Sequence, residues 1–253
     1  MRKLYLFTVV LLVLGCAGSR KDTPLLGAEN QFEQAKREYM SKHWDEARLE
    51  FQKLIYNYPG VVFVDSAQFL LGMCYYQEKD YPAAVGEFKK MLVSFSQSHL
   101  ADDAAFMTAS AHFMNSPKSP LDQQSTIQAV GELQDFLQEY PQSEHAVRAG
   151  EILLEARTKV ARKLYENGGL YFKMGLYEAT LIYMQEVLDK YPDTKFSAPA
   201  SFLIAESYFK QKKYDLAELE YRKFLERYPV DKLAGKARNR LGKIDKEKIQ
   251  AQK

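Results

Sequence analysis

The chain carries no dominant charge: 35 lysines and arginines face 33 aspartates and glutamates over 253 residues. Nucleic-acid binders draw most of their affinity from neutralising phosphates and show a basic excess. That excess is missing, so no nucleic-acid partner is expected. Cysteine is nearly absent, with Cys16 and Cys74 alone, too few for a disulfide framework. Histidine is scarce as well. His43, His99, His112 and His145 stand at no metal-ligand spacing from one another or from Cys74, so no metal set is expected. Phosphate-cradling glycine loops, nucleophile elbows and dinucleotide fingerprints are all lacking. The adjacent carboxylates Asp102-Asp103 read as first-turn residues complementing a helix dipole. These absences argue against an enzyme and against a bound cofactor. No apolar run reaches the ~20 residues that a membrane-spanning helix needs.

What apolar run there is lies at the start. Arg2 and Lys3 precede the stretch from Leu4 to Leu14, which has the charge and length of a signal-peptide core. Val13-Leu14-Gly15-Cys16 resembles a bacterial lipoprotein box, in which the cysteine thiol accepts a diacylglyceryl group and a small preceding residue admits the peptidase. Leu14 and Val13 depart modestly from the usual residues of that box. Residues 1–15 are therefore expected to be a lipoprotein signal peptide and 16–28 a lipid anchor and flexible tether, with Cys16 lipidated. Ala17 stands where an aspartate often marks inner-membrane retention, which points to the outer membrane.

Beyond residue 28 the chain repeats itself. Ala47, Ala84, Ala129, Thr180 and Ala217 occupy one slot, and twelve residues on lie Pro59, Ser96, Pro141, Pro192 and Pro229. Four of these follow a tyrosine, and a proline there stops a helix. A small residue precedes each slot: Ala35, Gly72, Ala109, Gly168 and Ala205. Around it stand aromatics seven apart, two helical turns and therefore one face. They are Phe32 and Tyr39, Phe69 and Tyr76, Phe106 and Phe113, Tyr165 and Phe172, Phe202 and Phe209. This recurrence accounts for much of the chain's 17 tyrosines and 15 phenylalanines, against one tryptophan.

Small residue, aromatic, alanine and proline at these offsets resemble the tetratricopeptide repeat, with a spacing of 37 residues from Ala47 to Ala84 in place of that repeat's usual ~34. The expected fold is all-α: an α-solenoid of five tetratricopeptide-like helix pairs with a C-terminal capping helix. Residues 29–142 would hold the N-terminal repeats 1–3, residues 143–230 repeats 4–5 with a long connecting helix, and residues 231–253 the cap. The prolines of Asn115–Ser125 argue for an exposed loop in the third unit. Ser143 to about Met174 reads as one long helix with a weak point at Gly168-Gly169. Leu233, Ala237, Leu241 and Ile244 form the apolar stripe of the cap.

A lipoprotein signal followed by five such units is similar to the BamD family, the tetratricopeptide lipoproteins of the outer-membrane β-barrel assembly (BAM) machinery. The resemblance covers nearly the whole chain. It is most specific at Leu188-Asp-Lys-Tyr-Pro-Asp-Thr194, Glu139-Tyr-Pro-Gln-Ser143, the loop insertion and the long helix. It implies a scaffold on the outer membrane, facing the periplasm and held in the lipid by acylated Cys16. Its implied partners are the periplasmic domains of a BamA-like barrel protein, accessory Bam lipoproteins, and unfolded outer-membrane protein precursors. The alternative is another periplasmic adaptor of the same repeat type, serving cell-envelope or peptidoglycan coordination. Such adaptors often begin with a coiled coil, and no heptad run lies between Cys16 and Phe32.

In tetratricopeptide arrays the first helix of each pair lines the concave surface. There the first three units carry methionine and aromatics, and the last two carry charge. Phe32, Tyr39, Met40, Phe69, Met73, Tyr76, Phe106, Phe113 and Met114 are the candidate client-binding residues, since methionine adapts to varied apolar ligands. Arg162, Lys173, Glu206 and Lys210 are the candidates for docking a fixed partner, whose orientation complementary charge would set. For the aromatics and methionines a second role is open: two-turn spacing equally suits the core between helices.

Overall fold

The computed structural model describes residues 27–118 and 121–251. The signal peptide, Cys16 and the tether up to residue 26 lie outside the described residues. Among the described residues there are eleven helices and no strand. They are α1 (Ala28–Met40), α2 (Trp44–Asn57), α3 (Val64–Gln77), α4 (Tyr81–Ser94), α5 (Ala101–Met114), α6 (Gln124–Glu139), α7 (Ala146–Lys173), α8 (Tyr177–Lys190), α9 (Ser197–Lys210), α10 (Tyr214–Arg227) and α11 (Ala234–Ala251). The first ten form five hairpins, each packed on the next, and α11 closes the stack against α10. First helices also touch first helices, α5 with α7 and α7 with α9. That closer approach curves the stack around the first-helix side. The all-α solenoid of five pairs and a cap is the fold observed.

In four of the five aromatic pairs the first member turns onto a ring in the second helix of its own unit; in the fourth unit Tyr165 meets Phe196 of the connector instead. Phe32 meets Phe51, Phe69 meets Phe88, Phe106 meets Phe136 and Phe202 meets Phe224, with ring centroids 6.1, 5.6, 5.8 and 5.6 Å apart. Phe51, Phe88, Phe136 and Phe224 are fully or almost fully buried, and each such ring contributes about 1.5–3 kcal/mol through burial. The second member clasps the residue that opens the next helix: Tyr39 on Trp44, Tyr76 on Tyr81, Phe172 on Tyr177, Phe209 on Tyr214. The third unit departs from this. Its insertion puts Gln124 at the head of α6, and Phe113 instead carries the Lys159 ammonium over its ring at 5.9 Å.

Four hairpins turn through a left-handed residue: Lys42, Lys79, Gly175 and Lys212. The next residue donates its N–H five positions back along the chain, as in His43 to Glu38 and Leu176 to Tyr171, which satisfies carbonyls that a helix end leaves open. The connectors between units share a second recurring geometry. In the last four, the N–H of Ser98, Ser143, Thr194 and Asp231 returns to the carbonyl of Phe95, Tyr140, Tyr191 and Tyr228. Ser96 stands where the others have proline, and its connector has the same bonds. Proline is thus one way of stopping these helices and not a requirement. The same turn explains why α7 starts at Ala146: Ser143 belongs to the connector, and its carbonyl accepts from the Ala146 N–H.

The helix does not break at Gly168-Gly169. α7 runs unbroken from Ala146 to Lys173, and the two glycines differ. A β-carbon on Gly168 would lie 2.3 Å from Met184 Cε and 2.9 Å from Tyr183 Cβ, whereas one on Gly169 would meet nothing within 4 Å. Gly168 is the close-approach position of the unit, as is Gly72, where a β-carbon would sit 2.6 Å from the Phe88 ring. The loop between α5 and α6 is also less free than its prolines imply. Lys118, Leu121 and Asp122 are exposed, but Lys159 donates to the Ser116 carbonyl, Lys163 donates to the Leu121 carbonyl, and Gln123 donates to the Lys118 and Leu121 carbonyls.

The neighbouring glycines should respond with opposite signs. Gly169→Ala should stabilise by about 1 kcal/mol through helix propensity. Gly168→Ala should destabilise, because overpacking costs about 1–3 kcal/mol. Urea denaturation of both variants checks this, and equal effects would refute the packing role of Gly168.

Candidate protein-binding surface

The inner wall is built from first helices, so its character follows from what those helices leave outside the hairpin cores. Phe106 is buried, and Phe32, Tyr39, Phe69, Met73, Tyr76 and Phe113 are half-buried against the hydrophobic clusters. These candidates are committed to packing against the hydrophobic clusters of the stack. Met40 and Met114 differ. They are 79 % and 50 % exposed at the C-terminal ends of α1 and α5.

Met40, Gln77, Met114, Lys173 and Lys210 are the same position in successive units, the last residue of each first helix, and all five are exposed. Read along the stack, one edge of the wall passes from thioether and amide to ammonium between units three and four.

Arg162 stands elsewhere on α7, eleven residues before Lys173 and hence about 16 Å along the helix axis. It opens into a hollow of ≈ 660 Å³ shared with Lys118, Lys159, Lys195, Glu155 and Glu166. Its guanidinium and the Lys195 ammonium both lie over the Phe196 ring, at 5.9 and 5.8 Å. The hollow gathers four cations against two carboxylates, with an aromatic ring behind two of them. The inserted loop forms one side of it through Ser116 and Lys118. These loop residues and Lys195 were not singled out from sequence, because the chain separations conceal that they meet.

Glu206 is not on this surface. It is 4 % exposed, accepts from Tyr221 Oη at 2.5 Å, and is gripped by Arg240 through Nε at 2.7 Å and Nη2 at 2.9 Å. Its position in the repeat matches Lys36 and Met73, but the cap helix supplies Arg240 and converts the slot into an internal clamp. Burial pushes the Glu206 carboxyl upward, and the bonds from Arg240 and Tyr221 outweigh that, leaving it below the ordinary glutamate value. Cys74 is buried and free, and burial with the nearby Glu78 charge pushes its thiol up to about 12. It is a packed thiol and not a thiolate at neutral pH.

A family model described as outer membrane lipoprotein, YfiO, matches residues 26–203, which hold the first four units and the start of the fifth. The chain belongs to the YfiO family of outer membrane lipoproteins. A tetratricopeptide-repeat model matches residues 200–229, the fifth unit. Among YfiO-type relatives, the outer membrane protein assembly factor BamD of Caulobacter vibrioides is 25 % identical over 200 residues, covering 78 % of this chain and 66 % of that protein. The BamD of Haemophilus influenzae is 22 % identical over 219 residues, 83 % of this chain and 84 % of its own length. Of solved structures, the TPR2AB domain of yeast Sti1 in complex with pHSP90 has a TM-score of 0.43 at 13 % identity, over 86 % of this chain and 82 % of that one. Among the described residues no helix is long and apolar enough to cross a membrane.

The clamp on Glu206 yields a stability prediction. Arg240→Met leaves a buried carboxylate without its cation and should cost about 3 kcal/mol at pH 7. A carboxyl held below its unfolded value stabilises above that value, and the contribution disappears as pH falls through the folded value. The gap between wild type and Arg240→Met in denaturant titrations should therefore close on acidification. A gap independent of pH would refute the assignment.

Proposed function

We propose that this chain is the lipid-anchored, periplasm-facing scaffold of the outer-membrane β-barrel assembly machinery, and that it acts by holding proteins and not by catalysis. Its units four and five dock the periplasmic domains of a BamA-like barrel protein, beside accessory lipoproteins of the same machinery. Its units one to three receive the ends of unfolded outer-membrane protein precursors. Acylated Cys16 supplies the membrane attachment.

The observation that carries this reading is the exposed edge Met40, Gln77, Met114, Lys173, Lys210. Methionine is unbranched and polarizable, so an exposed pair suits ligands that vary in sequence and share apolar character, as barrel-strand ends do. Ammonium groups in the same position suit one partner of fixed charge pattern, because charge complementarity sets orientation more than bulk affinity. The family membership and the assembly-factor names of the relatives support the setting.

Two double variants separate the halves. Met40→Asp with Met114→Asp should weaken binding of a peptide copied from a barrel C-terminal strand about tenfold, near 1.4 kcal/mol. It should leave recovery of the barrel protein from detergent-solubilised outer membranes unchanged. Lys173→Glu with Lys210→Glu should do the reverse. All four positions are exposed, so folding is spared. Unchanged peptide affinity in the first variant removes the client surface. A wild-type pull-down rich in peptidoglycan synthases and lacking a barrel protein overturns the whole reading.

A further inference from the structure

At each of the five junctions the repeat register marks the same three positions: the residue six before the small residue of a first helix, and the last two residues of the following connector. Along the chain they read Glu29, Val62, Phe63; then Ser66, His99, Leu100; then Asp103, Glu144, His145; then Arg162, Lys195, Phe196; then Pro199, Lys232, Leu233. The third member is an apolar plug at four junctions. Phe63 packs on Phe32 with centroids 4.8 Å apart, and Phe196 packs on Tyr165 at 5.6 Å. At the third junction the plug is an imidazole. His145 keeps the packing role, stacking on Phe106 at 4.5 Å with the planes 6° apart.

The stacking leaves the ring edge free to bind. His145 Nε2 lies 2.7 Å from Asp103 Oδ1 and 3.9 Å from Glu144 Oε1, and one ligand atom from each of the three residues falls within 4.8 Å of the others. This is the one junction of the five at which all three residue types are metal ligands. Ligands around a tetrahedral zinc, at ~2.0–2.2 Å from it, stand about 3.4 Å apart, so small side-chain rotations suffice. Asp103 and His145 are about one-quarter exposed, which leaves solvent access, and Phe106 fixes the ring plane as an outer-shell group would. Asp102, the neighbour of Asp103, is held by the Ser143 hydroxyl at 2.8 Å, which anchors that turn.

We propose that Asp103, Glu144 and His145 form a binding site for a borderline divalent cation of the zinc class, joining α5 to the head of α7 with a water in the fourth position. An imidazole nitrogen with two carboxylates favours zinc-type ions over calcium or magnesium, which prefer all-oxygen shells. Binding requires the Nε2 lone pair, so any proton carried on that nitrogen leaves to solvent when the ion enters. The ion ties the third unit to the fourth, where the exposed edge changes from methionine to lysine.

Zinc chloride titrated calorimetrically into the full chain in detergent tests this. One site is expected, together with a zinc-dependent rise in Tm. His145→Phe restores the plug found at other junctions, so it should fold well yet lose both effects. Asp103→Asn should weaken binding by at least about tenfold, the smallest loss typical even of an outer-shell partner. His112→Gln, away from the site, should bind as wild type does. Absence of binding to the wild-type chain, or binding that survives His145→Phe, overturns the proposal.

Discussion

The structure depends on how closely two helices of one hairpin can approach. At Gly72 and Gly168 the facing side chain fills the space a β-carbon would take, with Phe88 and Met184 seated against the glycine backbone. Ala35, Ala109 and Ala205 occupy the same position elsewhere and are fully buried. The approach lets one large side chain of each second helix, a phenylalanine in four units and Met184 in the fourth, fill the core of a unit, which is why so small a hairpin can be repeated five times. The core is therefore spread along the stack as five clusters. A hairpin of this size buries too little apolar surface alone, and stacking supplies the remainder.

The same economy decides what the inner wall can offer. Rings committed to hairpin cores and clasps cannot also be a free platform. Chemistry directed outward is left to positions with no packing duty: the last residue of each first helix, the connectors and the inserted loop. Those positions differ from unit to unit, whereas the aromatic frame is nearly constant. At Glu206 the division is visible within one slot, since the residue matching Met73 is drawn inward once α11 provides Arg240 and Tyr221 lies beneath it.

Periodicity made the frame legible in the sequence. Aromatics seven apart, a small residue between them and a stop after each second helix specify helix, hairpin and stack together, and the cap stripe Leu233, Ala237, Leu241, Ile244 packs as its spacing implies. The surface was legible only in part. Met40, Met114, Lys173 and Lys210 are exposed because their slot is, and slots can be counted. Glu206 could not be placed by counting, since its partner Arg240 is 34 residues away in the cap. The junction of Asp103 with His145, 42 residues apart, was hidden by the insertion in the third unit. A comparison of connector ends, rather than histidine spacings, carries that signal: an imidazole among Phe63, Leu100, Phe196 and Leu233 is a departure from pattern.

The long helix explains how two unlike halves can act as one body. The 28 residues of α7 span about 42 Å, and they take part in two cores. Ala149 and Ile152 pack with Phe106, Leu133 and Phe136, whereas Val160 and Ala161 pack with Met184, Val187 and Ile204. A short connector at this point would let the halves rotate about a few soft dihedrals. A continuous helix shared by both cores removes those dihedrals, and Lys159 and Lys163 add the inserted loop as a brace on the same helix. Gly169 weakens the helix intrinsically, yet Gly168 before it and Tyr171 and Phe172 after it are all held against α8. The methionine edge and the lysine edge are thereby held at a set separation and angle. Any polypeptide spanning both meets a rigid template rather than a hinge.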